Sequence, residues 1–153
     1  MTAQLGTNVY NKNQKAQPIG NSRDIDARAL SACARRMDDA KVLMEADAKS
    51  KDNFRIYGDA IRFNQQLWTI FQVALSDQEN PLPQDLKMTL LSLSHYVDKT
   101  SFKAVRRYTP DLIDSLININ RLIASGLSKQ PTGEAYTPPL DTRNIPTALM
   151  TSA

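Results

Sequence analysis

His95 is the only histidine and Cys33 the only cysteine in this 153-residue chain, so nucleophilic and metal chemistry have few places to start. Ser92 and Ser94 lie beside His95, but neighbours at such spacings arise by chance on most helices. A general base must reach the proton it takes, and nothing here fixes that geometry. Neither a Cys-x-x-Cys nor a His-x-x-x-His spacing occurs, which leaves zinc without a ligand set. The five glycines never gather into a loop that could cradle phosphate. Cys33 falls on an apolar helical stripe, where a thiol packs as a small hydrophobe. We therefore expect no catalytic residue, no metal, no cofactor and no enzyme. A single cysteine also excludes an internal disulfide and suits a reducing compartment.

Two other residue sets invite a binding role. Lys99, Lys103, Arg106 and Arg107 form a basic segment relieved only by Asp98. Such a cluster either complements a helix C-terminus in water or contacts an RNA backbone, and no aromatic stacking platform is evident beside it. Asn64 and Asn120 each interrupt an apolar helical face. Each amide sits either at the edge of the core or inside it, where a buried amide fixes helix register at some loss of stability.

The elements that must position these residues are helical. Residues 1–21 are rich in Asn and Gln and poor in large apolar side chains, the composition of a flexible arm. Asn21 or Ser22 can cap a first helix whose early Asp24 and Asp26 suit its dipole. In that helix Leu30, Cys33, Met37, Ala40 and Met44 recur at steps of three and four. A second helix begins near Asp52, although nothing between 46 and 52 forces a break. Its stripe is Phe54, Tyr57, Ile61, Asn64, Trp68, Phe71 and Leu75, with Phe63, Leu67 and Ile70 widening the face. Gly58 lies within it, either to admit a close helix crossing or as a weak first turn.

Pro81 and Pro83 lack backbone N–H groups and disfavour helix in the residues before them, so this helix ends ahead of Asn80. Leu82, between the prolines, is placed to pack back on the core. A third helix starts around Pro83, carries Leu86, Leu90, Leu93 and Val97, and is expected to continue through Phe102 towards Tyr108. Thr109-Pro110-Asp111 reads as a helix start: a capping hydroxyl, proline at the first position, then an acid. Leu112, Leu116, Ile119 and Ile123 form the last face, and Gly126 reads as its stop. Residues 128–153, rich in Pro and Thr, read as a disordered tail. The chain is thus expected to be all-α, a small bundle of about four helices over residues 22–127.

Bulk composition agrees with one globular domain: 41% hydrophobic, 23% charged, net charge +3. The opening MTAQLGTNVYNKNQK has no apolar core of roughly 7–15 residues behind a basic end, unlike a secretory signal. No apolar run approaches the roughly 18 residues of a membrane span. A soluble, cytoplasmic protein is expected.

Three stretches resemble a known family. SRDIDARALSACARRM (22–37), FNQQLWTIFQVALSDQENPLPQDLKMTLLSLSHYV (63–97) and LININRLIASGL (116–127) are similar, in that order, to blocks of the FlaF family of flagellar biosynthesis proteins. By that resemblance Asn64, Leu67 and Trp68 occupy its Asn-x-x-Leu-Trp motif, with Phe71 in the same block. Asn80, Pro81, Leu82 and Pro83 occupy its turn, and Asn120 its closing helix. The resemblance implies a cytoplasmic accessory of flagellum assembly associated with flagellin synthesis and secretion, with flagellin as partner and FlbT as a second regulator. A dedicated export chaperone fits, because unassembled flagellin has amphipathic ends that a groove between helices could cover. The alternative is a post-transcriptional regulator of flagellin messenger RNA, acting directly or with FlbT. Phe63 and Ile70, Met88 and Leu91, and Ile113 and Ile117 supply apolar area beyond a minimal seam. It either closes the core, joins two copies, or remains open for a partner.

Overall fold

Residues 23–129, which the computed structural model describes, form four α-helices: α1 (Arg23–Ala46), α2 (Lys51–Ser76), α3 (Gln84–Ala104) and α4 (Pro110–Lys129). Among the described residues there is no strand. Short connections make consecutive helices antiparallel. Each packs chiefly on two neighbours, α1 and α3 both lying between α2 and α4, so that α1 faces α3 and α2 faces α4 across the bundle diagonals. The α1–α4 interface is the most extensive.

The periodic stripes become the core. Leu30, Cys33, Met37, Ala40 and Met44 are all buried on α1, and Tyr57, Ile61, Asn64, Trp68, Phe71 and Leu75 on α2. Leu86, Leu90, Leu93 and Val97 follow on α3, and Ile113, Leu116, Ile117, Ile119 and Ile123 on α4. Phe54 departs from its expected stripe. Near the start of α2 it is exposed, its ring tilted 5.9 Å from Tyr57 at the rim.

The break between α1 and α2, which apolar spacing does not reveal, is built by polar side chains. Ser50 Oγ accepts the Asn53 N–H and so caps α2. The Asn53 amide in turn donates to the Leu43 and Asp47 carbonyls at 2.9 and 3.3 Å, satisfying the end of α1. The second junction uses a related device. Asp77 Oδ1 accepts the Glu79 N–H, as Asp47 Oδ1 accepts that of Lys49. Asn80 then donates its side-chain amide to the Ala74 carbonyl at 2.9 Å and accepts the Leu82 N–H at 3.0 Å. Leu82 is thereby held against the core, as its place between prolines predicts.

Three boundaries differ from expectation. α3 stops at Ala104 rather than near Tyr108, and residues 105–109 form the last turn. The Thr109 hydroxyl does not cap α4. It donates to the Arg107 carbonyl, while the Thr109 carbonyl accepts the N–H groups of Leu112 and Ile113. Gly126 does not stop α4 either: it is buried inside the helix, which continues through Ser128 to Lys129. The Ser128 hydroxyl donates to the Ala124 carbonyl. Glycine merely weakens a helix, and packing against α1 outweighs that cost. The expected arm, the Asn21 or Ser22 cap and the tail beyond residue 129 lie outside the described residues.

Candidate functional site

At the centre, α4 contributes Asn120 and α2 contributes Asn64 and Trp68, all within 1% of complete burial. Trp68 Nε1–H donates to Asn120 Oδ1 at 2.9 Å. Asn120 Nδ2 donates to Asn64 Oδ1 at 2.6 Å and to the Leu30 carbonyl of α1 at 3.3 Å. An indole N–H can only donate, so it fixes which end of the Asn120 amide is oxygen, and that choice fixes Asn64. Asn64 Nδ2 then remains as a buried donor without a partner among the described residues. The two asparagines are therefore inside the core, and they join three helices across a bundle diagonal. Phe71 meets Trp68 edge to face at 5.6 Å, a favoured aromatic geometry.

The motif positions named from the sequence are largely interior. Asn64, Trp68, Phe71, Asn80 and Asn120 are buried, Leu67 and Leu82 are half-buried against the core, and only Pro81 and Pro83 are exposed. They hold the shape that other side chains then present.

Those other side chains form a seam between α1 and α2. On α2, Ile56, Phe63 and Ile70 recur every seven residues, displaced about a third of a turn from the buried stripe. Their exposures are 37%, 47% and 64%. The direction of that displacement is known, because the Arg36 guanidinium of α1 lies over the Phe63 ring, 4.6 Å from its centroid. The opposite flank of α2 faces α3, where Gln72 donates to Asp98 at 2.8 Å. On α1 the opposite flank faces α4, through Lys41–Asp114 at 2.7 Å and Arg121–Asp38 at 3.1 Å. The hydrogen bond that Lys41 donates to the Asp114 carboxylate holds its ammonium above the usual range. The Arg36 flank of α1 therefore turns to α2, and it carries Ile25, Ala29, Ala32 and Leu43. Ile25 and Leu43 are exposed. Antiparallel pairing sets Leu43 beside Ile56 and leaves Ile25 towards the Ile70 end, so the apolar strip runs along the whole seam.

The surplus apolar area expected from the sequence thus divides. Phe63 and Ile70 are open to solvent, Met88 is exposed on α3 and Leu91 half-buried, whereas Ile113 and Ile117 are buried and close the core. Ile25, Leu43, Ile56 and Arg36 escaped sequence reasoning. The seven-residue recurrence of Ile56, Phe63 and Ile70, offset from the core stripe, was the available signal.

Lys99, Lys103, Arg106 and Arg107 are all exposed. An aromatic ring, Phe102, lies among them in the chain. Phe102 is exposed and carries the Arg106 guanidinium 4.4 Å from its ring centroid. His95 is exposed, and Ser94 donates to the Leu91 carbonyl. Burial pushes the Cys33 thiol above its ordinary pKa, against an opposing effect of Arg36. Among the described residues no group of three or more His, Cys, Asp or Glu could hold a metal, and no helix is long and apolar enough to cross a membrane.

No curated protein and no solved structure matches the chain. A family model described as flagellar protein FlaF matches residues 7–127, beginning within the expected arm and spanning all three blocks whose resemblance the sequence suggested. With its motif residues forming one core and one junction, this chain belongs to the FlaF family of flagellar proteins.

Proposed function

We propose that this flagellar protein is a non-enzymatic, cytoplasmic chaperone that binds flagellin before export and so promotes flagellin synthesis and secretion. The observation that carries the reading is the α1–α2 seam, where Ile25 and Leu43 of α1 and Ile56, Phe63 and Ile70 of α2 are exposed around the Arg36–Phe63 contact. Exposed apolar strips of this length favour a partner surface. Two antiparallel helices that expose apolar side chains beside their shared edge suit an amphipathic helix laid along them, the form in which flagellin's terminal segments would be shielded from premature polymerisation.

Co-purification with the amino- and carboxy-terminal segments of the cognate flagellin, with mass determination of the complex, tests this. At least one segment should bind, and Phe63→Asp with Ile70→Asp should abolish binding while helix content is unchanged. Binding of neither segment would sink the reading.

A second reading, regulation of flagellin messenger RNA directly or together with FlbT, draws on the basic residues at the end of α3 and in the turn after it. Lys99, Lys103 and Arg107 have no carboxylate partner among the described residues, and Arg106 sits on exposed Phe102. It requires RNA binding that weakens steeply with salt and is lost on neutralising Lys103, Arg106 and Arg107.

A further inference from the structure

Arg36 is the one cation on the otherwise apolar flank of α1 that lines the seam. Arg55, Arg62, Arg121 and Lys41 each pair with a carboxylate, but no carboxylate pairs with Arg36 among the described residues. Its guanidinium is instead seated over Phe63. A guanidinium on a ring face is held in place, yet its edge keeps N–H donors suited to a planar acceptor. The seam therefore presents an immobilised, unneutralised cation with apolar side chains on either side of it.

We infer that Arg36 sets the specificity of this seam by pairing with a carboxylate of the docked helix. The inference rests on the docking reading above and names the chemistry of its ligand. Ile25 and Leu43 are eighteen positions apart on α1, about 27 Å of helix, so the occupant is an amphipathic helix of about five turns. Its apolar side chains recur at steps of three and four. One Asp or Glu flanks that stripe, nearer the end that lies beside Leu43 and Ile56 than the end beside Ile25. A helix with an apolar residue or a lysine there leaves Arg36 desolvated without a partner, or repelled, and is rejected. The exposed carboxylates Asp39 and Asp52 outside the strip further disfavour a basic occupant.

The test measures affinity of the intact protein for the flagellin segment it captures. Arg36→Glu should weaken binding about tenfold or more, Arg36→Gln less, and Arg36→Lys least. Replacing the segment's carboxylates by lysine one at a time should identify one position whose change weakens binding to the wild type but restores it to the Arg36→Glu variant. Circular dichroism guards against misfolding, which an exposed site makes a minor risk. If Arg36→Glu binds as tightly as wild type while Ile70→Asp does not bind, the inference falls and the docking reading stands. If weakening occurs but no lysine replacement rescues it, the pairing falls as well. Failure of the wild type to bind either segment removes both.

Discussion

Asn120 uses both ends of its amide, and this makes its removal costlier than that of Asn64. Asn120→Ala strands the Trp68 indole N–H and the Asn64 oxygen in the core. Each buried group left unpaired costs about 1–3 kcal/mol, so a loss of about 3 kcal/mol is expected in urea unfolding followed by circular dichroism. Asn64→Leu strands one Asn120 N–H but also removes the orphan Asn64 Nδ2. A smaller loss, about 1–2 kcal/mol, should follow. Equal losses would show that volume rather than hydrogen bonding dominates. A second residue-scale prediction concerns Tyr57, fully buried, whose hydroxyl donates to the Ala104 carbonyl at 2.7 Å. Burial pushes its pKa up to about 12. The folded value lies above the unfolded one, so this contribution to stability is complete below pH of about 10 and is lost as pH rises through 12. Burial also raises the Tyr108 pKa, so tyrosinate absorbance should show a late-titrating component whose latest part Tyr57→Phe removes.

At the scale of elements, the junctions and the one helical glycine near them make separable predictions. The atoms nearest to a Cβ at Gly58 would belong to the Arg62 guanidinium, the closest at 3.1 Å, and that group is the far end of an exposed side chain. None of those nearest atoms belongs to another helix, so Gly58→Ala should raise stability by about 0.5–1 kcal/mol, visible as a higher melting temperature. Asn80→Ala should cost about 1–2 kcal/mol, because the Ala74 carbonyl and the Leu82 N–H lose their shared partner. Helix identity was legible in the sequence because apolar spacing reports burial directly, as Leu30 to Met44 and Leu86 to Val97 illustrate. Boundaries were less so. Ser50, Asn53 and Asp47 build the first junction by side-chain hydrogen bonds that leave no hydrophobic signature, and α4 runs past Gly126 because tertiary packing overrides local preference. The NPLP turn was legible since proline constrains the chain without help from neighbours. The seam was half legible: Phe63 and Ile70 stood out as surplus, but their alignment with Ile25, Leu43 and Arg36 depends on how α1 lies against α2.

For the molecule as a whole, the α1–α2 seam and the basic end of α3 lie on different sides of the bundle, since α1 and α3 are diagonal. Substitutions on one should not disturb the other. Neutralising Lys99, Lys103 and Arg106 together should leave segment capture by the seam within about twofold at moderate salt, as distant surface charges are largely screened there. A large loss would mean that the client wraps both faces. The remaining consequence comes from Trp68, the sole tryptophan, enclosed beside α4 and bonded to Asn120. Its light emission should be blue-shifted in the free protein, an intrinsic lamp at the middle of the bundle. A ligand resting on the outside of the α1–α2 seam would leave that colour unchanged, whereas one that wedges α2 from α4 would let water reach the indole and redden it.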